Sequence, residues 1–183
     1  LKTTWTILID EREKKPLPFP DHLSVMDHGS SASNPRLTTV MLRTKKATLK
    51  TGDYVLEGHE SAGCIERKQH LVELHGNLCT TEGRTRFLKE LDRFREYSHP
   101  CIVLESPSPD KRHPHPDVKY SPTAVRDMLL MVCVSRKIPL LTFTCTTDSQ
   151  RRLCAEWTAS FLIQAAISSS IGSTTLETGN EQP

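Results

Sequence analysis

The chain has 183 residues, 36% of them hydrophobic and 25% charged, enough for one domain with a proper core. A formal net charge of only +2 rules out arguing for nucleic-acid binding from total charge, so any basic surface has to be local. No stretch approaches the ~20 apolar residues of a membrane span, and no charged-then-apolar leader opens the chain at Leu1.

Residues 4–10 (TWTILID) read as a first strand with an acid at its end. Asp10 either points into a site or caps the following turn, as strand-end aspartates commonly do. From 14 to 36 the chain reads as a long loop, with Pro16, Pro18, Pro20 and Pro35 in it, and suits either a DNA-contacting flap or an insertion. A second strand follows at 37–43 (LTTVMLR), and Lys45, Lys46 and Lys50 come after it. Those cations either attract phosphates or solvate a strand edge.

The next segment carries the chemistry. Residues 53–57 (DYVLE) and 62–66 (AGCIE) read as two short strands about a turn at 58–61 (GHES). Asp53 and Glu66 are symmetric about the hairpin midpoint, which places them opposite each other with Cβ atoms roughly 5 Å apart. Alternation puts Glu66 and Lys68 on one face and Arg67 on the other. Two facing carboxylates suit a hard divalent cation. A lysine beside them can orient water, help deprotonate it, or neutralise charge building on phosphorus. Spacing alone favours a solvated surface ion pair, since an acid-x-Lys doublet is common.

Residues 69–79 read as a short helix containing Glu73. A longer helix at 82–98 has Phe87, Leu91 and Phe94 as its apolar stripe, with Arg86, Lys89 and Arg93 on another face, either solvated or tracking a phosphate backbone. CIVLE at 101–105 reads as a buried strand ending in Glu105, and 106–120 as a proline-rich loop in which His113 and His115 have no partner carboxylate. A helix at 122–135 has Pro122 in its first turn and a Val125, Leu129, Val132 stripe; a strand at 137–144 follows. The last helix, 149–168, shows Leu153, Trp157, Phe161 and Ala165 as a core stripe, and the Ser/Thr/Gly-rich residues 168–183 read as a disordered tail. The six cysteines form neither CxxC nor Cys/His zinc spacings and read as free thiols of an intracellular protein.

Gly52-Asp53-Tyr54 followed by Ile65-Glu66-Arg67-Lys68 resembles the GD…ERK signature of the XPF/Hef nuclease family. Ile9-Asp10-Glu11-Arg12-Glu13 resembles that family's first-strand D-x-R-E, and Gly83-Arg84 and the 101–105 strand resemble its next landmarks, so the likeness covers about residues 6–165 in order. The resemblance implies a restriction-endonuclease-like α/β/α sandwich with a mixed central sheet, forming a nuclease domain over residues 1–167. With neither helicase motifs nor a helix-hairpin-helix tandem in the sequence, the expectation is a small stand-alone member. Its implied activity is Mg²⁺- or Mn²⁺-dependent hydrolysis of branched or flapped DNA in repair, recombination or replication.

Asp53, Glu66 and Asp10 are then the expected metal ligands, and Lys68 joins them in catalysis. Arg12, Arg67, Arg84, Lys45 and Lys46 are the expected DNA contacts, with Arg67, on the opposite face, supporting either DNA or the sheet. Glu73 stands one residue later than the family's acid, with Val72 in its place. The resemblance also implies a homodimer or heterodimer through the last helix. The alternative is a catalytically silent DNA-binding or scaffold subunit.

Overall fold

Strand alternation sets up two apolar layers. In β1 (Thr4–Asp10), Trp5, Ile7 and Ile9 belong to one buried cluster and Leu8 to another. The structure, a computed structural model, describes residues 2–27, 36–105 and 120–177. β1 pairs on one side with β3 (Arg36–Ala47), in parallel, and on the other with β4 (Tyr54–Leu56), antiparallel. β2 (His22–Asp27) edges β3, while β5 (Gly63–Lys68), β6 (His99–Leu104) and β7 (Leu140–Thr142) continue the sheet in parallel beyond β4. Among the described residues this makes a seven-stranded mixed sheet in the order β2-β3-β1-β4-β5-β6-β7.

α1 (Leu71–Cys79), α2 (Thr81–Arg93) and α3 (Pro122–Arg136) cover the face that carries Leu8, Val55, Cys64, Ile102 and Leu104. α4 (Asp148–Glu177) covers the face that carries Ile7, Ile9, Ile65, Cys101 and Val103. The architecture is the expected α/β/α sandwich. The capping chemistry is local: Thr80 Oγ1 accepts from the Gly83 N–H at the start of α2, and Ser121 Oγ from the Ala124 N–H at the start of α3. Gly83 has a second role. A Cβ there would lie 2.0 Å from the Gly76 carbonyl oxygen, so only glycine lets α2 start so close to α1.

Three expectations are corrected. The 14–36 segment is not all loop: His22–Asp27 forms β2, with Leu23 and Val25 buried against exposed His22 and Ser24. Pro16, Pro18 and Pro20 precede that strand rather than interrupt it, which is how proline composition concealed it. In α4 the buried side is Cys154, Ala155, Thr158, Ala159, Leu162, Ile163 and Ala166, whereas Leu153 and Trp157 are 48% and 56% exposed. Small residues face the sheet because the helix lies close to it; a Cβ added at Gly63 would sit 3.0 Å from that of Ala165. α4 also runs to Glu177, past the expected start of a tail at 168, because extending a formed helix is far easier than nucleating one. Residues 28–35, and 106–119 with His113 and His115, lie outside the described residues.

All six cysteines are free thiols. No described helix is long and apolar enough to cross a membrane.

Candidate active site

β5 is buried along its whole length although it ends in Glu66-Arg67-Lys68. Ionised side chains are almost never fully buried unless paired, so three in succession mark a site or a buttress. They are both, on opposite faces.

Tyr54 pairs with Ile65, which brings Asp53, the residue before it, alongside β5. The Asp53 N–H donates to the Ile65 carbonyl at 2.7 Å, so Asp53 and Tyr54 share one partner, the two-against-one arrangement of a β-bulge. Gly52 allows it, with φ of 74° and a missing Cβ that would lie 2.4 Å from Cys64 Sγ. Asp53 Oδ2 accepts from the Arg67 N–H at 2.7 Å, fixing the carboxylate over β5.

On the face toward α1 and α2, Lys68 Nζ lies 2.7 Å from Glu66 Oε1 and 3.3 Å from Glu73 Oε1, with the Phe87 ring centroid at 5.2 Å. Glu73 reaches inward because α1 starts there: its N–H donates to His70 Nδ1, and its own Oε2 accepts from the Gln69 N–H at 3.1 Å. The later spacing of Glu73 is therefore accommodated by the first helical turn. Burial pushes the Asp53 carboxyl up to about 6 despite the Arg67 N–H and the Lys68 charge. Burial pushes Glu66 up to about 8; the Lys68 charge opposes this, and the charges of Asp53 and Glu90 add to it. Burial alone would lower Lys68, but the Glu66 and Glu73 carboxylates outweigh it and hold the ammonium charged.

The donor set suits a divalent cation in one respect: the half-buried Asp53 and the buried Glu66 carboxylates lie close enough for the charge of one to act on the other. Among the described residues no three His, Cys, Asp or Glu converge as a ready-made cage. Mg²⁺ commonly takes one or two carboxylates and completes its shell with water and substrate phosphate.

The reverse face is saturated. The Arg67 guanidinium pairs with Glu13 at 2.8 Å and with Glu105, and its side chain is 1% exposed. Glu105 also meets Arg151 Nε at 3.3 Å, and Arg151 Nη2 donates to the Lys15 and Pro16 carbonyls at 2.7 and 3.0 Å. Glu105 is thus neither an exposed strand end nor beside Glu66; it ties β6 to β5 and α4. Arg67, expected among the DNA contacts, is closed off from solvent and supports the sheet.

Asp10 is the other departure. Its backbone N–H donates to the Asp53 carbonyl at 2.9 Å, but its carboxylate accepts from Arg12 N, Nε and Nη2 and from the Leu49 N–H, at 2.7–3.0 Å. Four donors occupy the acceptor sites of the carboxylate, and in this arrangement Asp10 holds the turn after β1. Arg12 remains largely exposed at the rim. Lys45 pairs with Glu57 at 2.8 Å, and Lys46 donates to the Asp10 and Glu13 carbonyls. Arg84 faces a cleft with Leu88, Tyr120 and Met128, on the α3 side of α2 rather than beside Glu66. Glu90 and Phe87, which no sequence signal singled out as site residues, are close to Lys68 because the α2 stripe that packs the core also borders the site.

Residues 9–156 match the family model of the ERCC4 domain. The span runs from the end of β1 through Asp53, Glu66-Arg67-Lys68 and the first turns of α4. Among solved structures the chain is similar to XPF from Aeropyrum pernix, with a TM-score of 0.51 and 15% identity over 87% of this chain and 67% of that one. No curated protein matches it. A match over most of the chain, spanning every residue of the site, places this protein in the ERCC4-domain family, the XPF-type structure-specific DNA nucleases.

Proposed function

We propose that the chain is a metal-dependent endodeoxyribonuclease that hydrolyses a phosphodiester bond in branched or flapped DNA. The observation that carries the reading is the buried Glu66 with Lys68 2.7 Å away, and half-buried Asp53 held against the same strand by the Arg67 N–H. Asp53 and Glu66 would hold Mg²⁺ or Mn²⁺; bound there, the ion supplies Lewis acidity toward a phosphate oxygen and a more acidic water. Asp53 is held in place by the Arg67 N–H. Lys68, positioned by Glu66, Glu73 and the Phe87 ring, presents an ammonium that orients water or offsets charge developing on the phosphate. Arg12 at the rim is a DNA contact in this reading, and the exposed Leu153 and Trp157 of α4 are a contact for a second subunit. Six free thiols fit an intracellular location.

One observation favours a second reading, a silent DNA-binding subunit. Glu66 already pairs with Lys68, and no third acidic ligand joins it among the described residues. Cleavage of labelled flap, fork and linear duplex DNA with Mg²⁺, Mn²⁺ or EDTA, beside Glu66→Gln, separates the two. Metal-dependent cutting lost in the variant supports the nuclease. DNA binding without cutting under any condition supports the silent subunit.

A further inference from the structure

The groove between α1 and α2 is lined by Glu73, Asn77, Gly83, Thr85, Arg86 and Lys89 among others and encloses about 900 Å³. Its inner end is the site itself, because Glu73 lies 3.3 Å from Lys68. Its outer wall is basic. Arg86 and Lys89 stand three residues apart, about 4.5 Å along the helix axis and on one side of it. Arg86 is one turn before Glu90, whose charge acts on both Glu66 and Lys68. The wall therefore begins about 6 Å along the helix from the reacting face.

Elsewhere near the site the cations are engaged: Arg12 by Asp10, Lys45 by Glu57, Lys46 by two carbonyls, Lys50 by Glu96 and Arg93 by Thr51. Arg86 and Lys89 are exposed and have no ion pair or hydrogen bond among the described residues. Glu73, the acid at the inner end, shares Lys68 with Glu66; Glu82 lies at the outer mouth. The Asn77 carboxamide oxygen is buried without a hydrogen-bond partner among the described residues.

We propose that this groove carries the phosphate backbone of the DNA strand leaving the site, with Arg86 and Lys89 as its contacts. The inference rests on the DNA-cleaving reading and goes further, in assigning a strand path and two residues to it. It also replaces Arg84, the cation that the Gly-Arg pair suggested, with two residues on the other side of the same helix.

The test is fluorescence anisotropy of labelled flap DNA in EDTA across a salt series, with wild type, R86A/K89A and R84A. Alanine preserves helix α2, and equal melting temperatures check that it does. Loss of two phosphate contacts should lower the slope of log affinity against log salt by about 1.4–1.8, with R84A matching wild type. An unchanged slope in R86A/K89A overturns the assignment, as does a loss confined to R84A. A wild type that neither binds nor cuts overturns the DNA-cleaving reading as well. One that cuts while R86A/K89A keeps its slope overturns the groove alone.

Discussion

Glu66 and Lys68 on one face of β5, and Arg67 on the other, are adjacent in sequence and equally buried, yet their surroundings are opposite. On the α1–α2 face two carboxylates repel each other, one of them holds a lysine, and the pair remains short of positive charge. On the α4 face two glutamates and two arginines neutralise one another and anchor backbone carbonyls. A buried charge array left unbalanced is suited to bind something, and a balanced one to hold the chain still. Alternation lets one tripeptide do both, and the Arg67 N–H to Asp53 bond joins them.

The comparison breaks most sharply through cleavage. Asp53→Asn keeps an acceptor for the Arg67 N–H but loses a ligand charge. It should cut at least about a thousandfold more slowly, ~4 kcal/mol in barrier, while its urea midpoint stays near that of wild type. Near-normal single-turnover cutting would remove Asp53 from the site. Arg67→Met reaches the other face. It leaves Glu13 and Glu105 buried with one partner fewer, and chemical denaturation should show a loss of about 3–5 kcal/mol. A loss under 1 kcal/mol would mean that the network is dispensable.

A smaller effect comes from Asp10. Burial would raise its pKa, but the hydrogen bonds from Arg12 and Leu49 outweigh this and hold it below the usual value of 3.8. The carboxylate therefore stabilises the fold above pH 3.8, and that contribution fades as pH falls through the lower folded value. Asp10→Asn should cost about 1–3 kcal/mol at neutral pH and show less acid sensitivity than wild type in the same window. Identical acid profiles would show that the turn does not depend on the charge. At the bottom of the scale, Lys45→Ala should leave the denaturation midpoint almost unchanged, because its pair with Glu57 is solvent-exposed. A clear drop in that midpoint would give that edge a structural role.

Much of this was legible in the residues. Alternation separated Arg67 from its neighbours, and the order of landmarks indicated the sandwich. What stayed hidden depended on tertiary partners. Asp10 looks like a site acid until the Leu49 N–H, 39 residues away, fills its second oxygen. Glu105 looks like a strand end until Arg151 arrives from α4. The core side of α4 was recognised at Ala165 and, in part, Phe161 but missed at Leu153 and Trp157, because a large-residue stripe suggests burial, whereas close approach to Gly63 selects alanine. β2 was concealed by the prolines just before it.

The central claim is that the unbalanced face of β5 binds a divalent cation through Asp53 and Glu66. Calorimetric titration of Mn²⁺ into wild type and Glu66→Gln, both folded and free of DNA, tests it directly. The account predicts saturable binding in wild type that is weakened at least about tenfold, ~1.4 kcal/mol, in the variant. Equal binding by the two proteins, or none by wild type, would contradict it.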